Sequence, residues 1–402
     1  MSWRWVPPVH SPVFPGALPA AIAAAWGWRV PDRDGIVEAL KARYDASDAL
    51  LTDSGTSALI LALQTIGRGA TVAYPAYGCF DLTTAALGAG MCVRLYDLDP
   101  QSLSPDLDSV REVIRRGVDA IVVAHLYGYA ADVVGVKKLA ADHGIPVIED
   151  AAQGAGGSLN GRRLGSLADI SILSFGRGKG MTTGSGGAVL VRTQALAPSI
   201  ARMRATIASP ARGAREAVSL GAQWLFAHPS LYRIPASIPA LRLGEMVFHA
   251  PKVPRAMSAS AASLLPTALN ADEQQIRDRR ARVEDLVERA MAARGLAAVR
   301  PIPQSEPGYL RLPLLDLVGD ANPQPTIGAV RGYPLTLEQH TQLQALLAPK
   351  EHAGTGAIYL RDRLFTLATH AGIDTMDVSR LTSWLVSSRA ISVPALSPVT
   401  AS

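Results

Sequence analysis

Cysteine is nearly absent: Cys79 and Cys92 are the only two in 402 residues. That excludes a disulfide framework and a cysteine-built metal site, and it sets the expectation of a reduced, cytoplasmic setting without a bound metal. Lysine is scarce as well. Of 39 basic residues only six are lysine, namely Lys41, Lys137, Lys138, Lys179, Lys252 and Lys350. Nowhere do five or six basic residues run together, and the net charge is only +5. Nucleic-acid binding is therefore not expected as the main task. An uninterrupted apolar stretch is missing too. Residues Trp5–Trp28 carry no formal charge, yet Pro7, Pro8, Pro12, Pro15 and Pro19 break them. Prolines this dense argue against a secretory signal or a bilayer-spanning helix, and for an extended arm laid over a core.

What the chain does contain is apolar mass, 48% hydrophobic against 18% charged residues. This is enough for a large core and excludes disorder, and the length points to two or three domains. After an arm and a first helix over 1–48, short apolar runs alternate with helical stretches. That is the pattern of an α/β domain around a mainly parallel sheet. The spacing predicts strands at Ala49–Thr52, Thr71–Tyr74, Met91–Tyr96, Ala120–His125, Pro146–Asp150, Ile170–Phe175 and Ala188–Val191, seven in all, within a domain over 49–195. Ser104 and Pro105 read as the N-cap and first position of a helix reaching about Arg116. Prolines divide residues 196–255, which read as a helical insertion or lid. Its apolar run at 217–232 offers a membrane-surface contact. The remainder, 256–402, reads as a long helix followed by a smaller α+β domain with a strand at Tyr309–Leu312.

In an open parallel sheet, ligands bind at the carboxyl ends of the strands. The loops there supply few chemical groups. Ser54-Gly55-Thr56-Ser57 opens a helix, either as a phosphate cradle of backbone N–H groups and hydroxyls or as an ordinary N-cap. Tyr77 and Phe80 offer an aromatic face to a planar ligand, or are core residues. His125 touches a ligand or holds the structure. Glu149 and Asp150 leave an apolar strand on opposite faces, so only one can point into a site. Ser174-Phe175-Gly176-Arg177-Gly178-Lys179-Gly180 places one of the six lysines in a glycine-rich loop, where a desolvated amine can form a Schiff base. The spacing is not that of a Walker A loop.

A lysine, a strand-end carboxylate and a phosphate cradle are the needs of pyridoxal phosphate. Here the chain resembles the fold-type-I pyridoxal-phosphate enzymes, and among them the DegT/DnrJ-type sugar aminotransferases. The resemblance is carried by Ser54-Gly55-Thr56-Ser57-Ala58-Leu59, His125-Leu126-Tyr127-Gly128, Ile148-Glu149-Asp150-Ala151-Ala152-Gln153, Gly161-Arg162-Arg163-Leu164-Gly165-Ser166, Ser174-Phe175 with Lys179, and Gly186-Gly187-Ala188-Val189. It runs in register over about Leu50–Thr193.

The resemblance implies Lys179 as Schiff-base lysine and proton shuttle, Asp150 opposite the pyridine nitrogen and Gln153 near the ring hydroxyl. Gly55, Thr56, Ser57 and Ser174 would lie at the phosphate, with His125, Tyr77 and Phe80 as walls of the pocket. It implies a homodimer that moves an amino group from an amino acid such as glutamate to a keto sugar, plausibly nucleotide-linked, for polysaccharide or glycoconjugate synthesis. A dehydratase of the same family would carry histidine in place of Lys179. A non-sugar ketone, or a scaffold built on this fold, are the alternatives. Three departures from the family pattern stand out. Cys79 occupies the position of a common aromatic stacker, and the loop reads Lys179-Gly180 and Gly184-Ser185-Gly186-Gly187. The asparagine segment usually donated by the partner is missing; its place falls at Phe248–Pro254, where His249 or Lys252 would substitute. Arg331 is a further candidate for substrate contact.

Overall fold

The computed structural model describes residues 4–387 except 9, 11, 239–245, 293–294 and 320. The portions of the expected arm, insertion and carboxyl-terminal domain at those positions lie outside the described residues. In chain order the strands begin with β1 (Asp48–Thr52), β2 (Thr71–Pro75) and β3 (Cys92–Tyr96), then a short ribbon of β4 (Leu98–Asp99) and β5 (Ser104–Pro105). Next come β6 (Ala120–Ala124), β7 (Val147–Asp150), β8 (Ser158–Leu159), β9 (Arg162–Arg163), β10 (Ile170–Ser174) and β11 (Gly187–Val191). The carboxyl-terminal part adds β12 (Leu296–Ala298), β13 (Ser305–Glu306), β14 (Leu312–Asp316), β15 (Ala329–Arg331) and β16 (Leu364–Leu367).

Seven of these form one sheet in the order β1-β11-β10-β7-β6-β2-β3. Every pair from β10 to β3 is parallel, while β11 runs antiparallel to both its neighbours. Strands such as Ala120–Ala124 are buried along their whole length because helices cover both faces. On one face Leu59, Ile60 and Leu63 pack in one core with Ile172, Val189 and Val191. On the other, Ile36 and Leu40 meet Leu173, Ala188, Leu190 and Leu265. Alternate residues of β10 and β11 thus enter different cores, as the period of a strand requires.

The insertion forms helices at Ala197–Thr206, Ala214–Phe226 and Arg233–Ala236, and it leaves and returns at one place, where Ala208 bridges Arg255. Within the expected membrane-contact run, Ala217 and Leu220 are buried while Val218, Trp224 and Leu225 are exposed. No helix among the described residues is long and apolar enough to cross a membrane. The long helix Ala259–Ala292 leads into a four-stranded antiparallel sheet, β12-β14-β16-β15, cored by Leu314, Phe365, Leu367 and Leu385. The amino-terminal arm lies on this part of the molecule: Val6 donates to the Thr326 carbonyl and packs with Ala368 and Ile373.

Two expected elements differ. Ser104 and Pro105 do not open a helix; they pair with Leu98 and Asp99, and the helix begins at Leu107. Its cap is Asp106, whose carboxylate accepts from the Ser109 N–H at 2.7 Å. Pairing across a chain reversal overrides the local signal, and Asp106 is itself a strong N-cap. The strand expected at Tyr309–Leu312 instead begins at Leu312, because Tyr309 has φ of 47°, a left-handed conformation that ends strand geometry.

Candidate functional site

At the end of β1 the chain turns into the helix Gly55–Gln64, capped by Ser54, whose hydroxyl accepts from the Ser57 N–H at 3.0 Å. Ser57 therefore serves the cap, while the N–H groups of Gly55 and Thr56 have no acceptor within the helix. They put the positive end of the helix dipole at the carboxyl edge of the sheet. Glycine at position 55 is a steric requirement, since an added Cβ would stand 2.6 Å from Ser174 Cβ and 2.9 Å from its hydroxyl. From the other side, a Cβ on Gly187 would meet the Ser54 carbonyl oxygen at 2.5 Å. The helix start, β11 and Ser174 at the end of β10 thus form one tight cradle. Thr56 donates to Asp81 at 3.0 Å, which ties the cradle to the helix Phe80–Ala89. A Gly55→Ala substitution should part Ser174 from the helix start and weaken phosphate-anchored cofactor binding by about tenfold, the equivalent of one lost charge-assisted contact. Equilibrium dialysis of pyridoxal phosphate measures it.

Glu149 and Asp150 face opposite ways. Glu149 is fully buried and accepts from the N–H groups of Gly165, Leu167 and Ala168, from the Ser171 hydroxyl and from His125 Nε2. Burial alone would raise its pKa, but the hydrogen bond from His125 and the Gly165 N–H bring it down to about 2. His125 is a structural residue rather than a pocket wall. Its Nδ1 accepts from the Ala131 N–H at 3.0 Å, which leaves the proton on Nε2 toward Glu149. Asp150, by contrast, has no ion-paired arginine among the described residues. Its Oδ1 accepts from the Ala152 N–H at 2.9 Å. Burial raises its pKa, opposed by that hydrogen bond and by the charge of Lys179. A buried carboxylate in this state is poised to accept a cationic partner.

Above these strand ends lies a cavity of about 750 Å³, bordered by Phe80, Gln153, Lys179, Tyr127, Tyr333 and His10 among others. Gln153 donates to the Tyr333 hydroxyl at 2.5 Å and accepts from the Tyr127 N–H at 3.2 Å. The Tyr127 and Tyr333 rings stack with centroids 5.7 Å apart. Tyr77 does not reach the cavity. It has no exposed surface, its hydroxyl accepts from the Tyr333 N–H at 2.6 Å, and it supports Tyr333 edge-on. Phe80 does reach it, stacked on His340 with centroids 4.0 Å apart. Beside it, burial and then Asp81 push the Cys79 thiol up to about 12, so it stays a neutral, small wall. His249 and Met246 border the same chain's cavity, and the Thr84 hydroxyl donates to the His249 carbonyl. Lys252 is exposed. Arg331 borders the cavity but donates to the carbonyls of Asp362 and Ala321 and lies over the Phe365 ring.

Sequence reasoning missed Tyr333, Arg311 and His10. Arg311 is buried without a carboxylate partner among the described residues, donating to Thr366, Gly328 and Pro8, and burial lowers its pKa to about 10. Only its isolation between two prolines and an apolar strand hints at this in the chain. Tyr127 lay in a quoted motif, but its φ of 56°, which aims the turn, had no local signal.

A parallel sheet with a lysine loop, a buried aspartate and a helix-start cradle at one edge defines the fold-type-I class of pyridoxal-phosphate enzymes. The model of the DegT/DnrJ/EryC1/StrS aminotransferase family matches residues 18–222, and the chain belongs to that family. Pyridoxal phosphate is the family's cofactor. Among curated proteins the chain is similar to L-glutamine:2-deoxy-scyllo-inosose aminotransferase of Streptomyces fradiae, 36% identical over 175 residues, 42% of this chain and 41% of that one. It is also similar to 3-amino-5-hydroxybenzoate synthase of Amycolatopsis mediterranei, 36% identical over 151 residues, 37% of this chain and 39% of that one. The matched region thus spans about two fifths of these relatives' length. Two solved structures share the fold across nearly the whole chain. Streptomyces venezuelae DesV in complex with a ketimine intermediate has a TM-score of 0.72 at 20% identity, covering 92% of this chain and 93% of that one. DesI in the presence of its TDP-sugar product has a TM-score of 0.74 at 18% identity, covering 96% and 93%.

Proposed function

We propose that the protein is a pyridoxal-phosphate-dependent aminotransferase that takes an amino group from an amino acid, glutamate or glutamine, and gives it to a ketone on a polyhydroxylated ring. The observation that carries this reading is the meeting of Lys179, Asp150 and the Gly55–Ser174 cradle at one sheet edge. The chain's residues fit the cofactor. The cradle that an added Cβ would fill suits a phosphate, and Asp150, buried without a paired cation among the described residues, suits a protonated ring nitrogen. Gln153 would lie at the ring hydroxyl and Phe80 at the ring's flank. When bound, the cofactor supplies an electron sink for breaking the C–H bond next to nitrogen. With the cofactor bound, Lys179 Nζ would carry the proton, Asp150 would keep the ring nitrogen protonated, and the surrounding wall would limit water.

The acceptor is a keto sugar or keto-cyclitol, plausibly nucleotide-linked, serving polysaccharide or glycoconjugate synthesis. The S. fradiae relative, named for 2-deoxy-scyllo-inosose, supports it. A non-sugar ketone is the second reading, favoured by the similarity to 3-amino-5-hydroxybenzoate synthase. The reading also takes the protein as a cytoplasmic homodimer with a cofactor domain over 49–195, a helical insertion over 196–255 and a smaller domain beyond. Two half-reactions test it. L-glutamate or L-glutamine should bleach the visible band of the loaded enzyme, and 2-deoxy-scyllo-inosose or a nucleotide-linked 3-keto sugar should restore it. A spectrum silent to every amino donor overturns the reading in favour of a scaffold.

A further inference from the structure

Gly176, Arg177, Gly178 and Lys179 form one tight turn. The Lys179 N–H donates to the Gly176 carbonyl at 3.4 Å, Gly178 takes the left-handed φ of 72° that the third position of such a turn needs, and Gly176 bridges Gly184 at its base. Both long side chains of the turn, Arg177 and Lys179, border the cavity. Among the described residues six cationic side chains do so, against the carboxylates of Asp81 and Asp278. A cleft with one dominant sign of charge draws in anions. Four of the cations are already engaged. Arg279 donates to the Gly308 and Ala155 carbonyls, Arg282 to those of Asp278 and Thr369, and Arg311 and Arg331 are held by the contacts given above. Arg177 is different. It is exposed, and its guanidinium has no hydrogen bond or ion pair with any described residue. Burial raises the pKa of Tyr232 in the insertion and the Arg177 charge opposes this, which places the guanidinium within electrostatic range of the insertion.

The geometry points to Arg177 as a specificity-determining residue that receives the α-carboxylate of the amino donor. This rests on the aminotransferase reading given above. An amino acid carries that carboxylate on the same carbon as its amine, so the cation that holds it must stand beside Lys179, as Arg177 does in this turn. A guanidinium presents parallel N–H donors that match the two carboxylate oxygens. The cofactor phosphate is the competing anion, but Gly55, Thr56 and Ser174 of its cradle do not border this cavity, whereas Arg177 does. A neutral keto-cyclitol offers Arg177 no charge to pair with.

The test uses the full-length loaded enzyme with L-glutamine and L-glutamate as donors and 2-deoxy-scyllo-inosose as a neutral acceptor, each half-reaction followed by absorbance. Arg177→Gln removes the charge and keeps a polar side chain. Arg177→Lys keeps the charge without the paired donors. Arg177→Gln should raise the KM for both donors about tenfold. The rate at saturating donor, the acceptor half-reaction and the affinity for pyridoxal phosphate in equilibrium dialysis should stay within about twofold of wild type. Arg177→Lys should recover part of the donor KM. An unchanged donor KM in Arg177→Gln overturns the inference, and so does a rise for L-glutamate alone, which would assign Arg177 to the side-chain carboxylate. A fall in pyridoxal phosphate affinity overturns it by placing Arg177 at the cofactor phosphate, and an equal loss in both half-reactions overturns it by marking a distorted turn. If the wild type completes the donor half-reaction but no ketone restores the band, the acceptor reading fails, while the donor KM still decides the inference. If neither half-reaction occurs, the aminotransferase reading has failed and the inference with it.

Discussion

Replacing Lys179 by alanine should abolish amino transfer, lowering the rate by about four orders of magnitude, the upper end of what one positioned proton-transfer group supplies. Lys179 is the only lysine among the described residues bordering the cavity, so no neighbour can take over. The loop around it is fixed by its own polar contacts. The Thr182 hydroxyl donates to the Gly176 carbonyl at 3.0 Å, and the Thr183 N–H donates to the Phe175 carbonyl. Removing the side chain therefore leaves its surroundings in place, and the loss reports the amine rather than a collapsed loop. Two measurements check it. Single-turnover rates give the fall, and borohydride reduction should leave the cofactor covalently on the Lys179 peptide of wild type and on no peptide of the variant. Covalent capture by the alanine variant would sink the assignment. Lys179→Arg keeps a positive charge near Asp150 but has no free amine to offer, and it should be equally inactive.

Glu149→Ala should cost about 3–5 kcal/mol of folding stability, because it leaves buried backbone N–H groups of three residues, the Ser171 hydroxyl and His125 without their acceptor. The same carboxylate ties acid stability to pH. Its pKa of about 2 lies below its ordinary 4.5, so its contribution is fully present above about pH 4.5 and is lost as pH falls toward 2. The difference corresponds to roughly 3 kcal/mol at 1.36 kcal/mol per unit. Urea midpoints between pH 2 and 7 should fall steeply on the acid side in wild type and less steeply in Glu149→Gln. An identical acid slope in the two proteins would show that the network does not hold the charge. The effect reaches the site through the strand, since Glu149 orients His125 at the end of β6 while its neighbour Asp150, on the opposite face of the strand, is within range of the Lys179 charge.

Much of this was readable along the chain. The sheet strands were legible because helices bury both their faces, and a strand such as Ala120–Ala124 must then be an unbroken apolar run. Asp150 and Lys179 were legible because ionisable groups at the exits of such runs are costly without a task, and because lysine is rare here. The opposite facing of Glu149 and Asp150 followed from the strand period alone. Ser104 and Pro105 were misread because a cap signal is local, whereas their pairing with Leu98 and Asp99 is not.

The aromatic wall could not be settled from sequence. Tyr77 and Phe80 stand three residues apart, and only the turn after β2 decides that Phe80 reaches the cavity while Tyr77 is sealed beneath Tyr333. The same holds for His10. Its place depends on His370, 360 positions away, and on an arm held by Asp377, Arg311 and His370 from the far end of the chain. The chain by itself determined the sheet, its chemical edge and the lysine, because burial and period act between near neighbours. Tertiary structure alone decided which side chains from the arm and the carboxyl-terminal part close over that edge, because those contacts exist only once distant segments pack together.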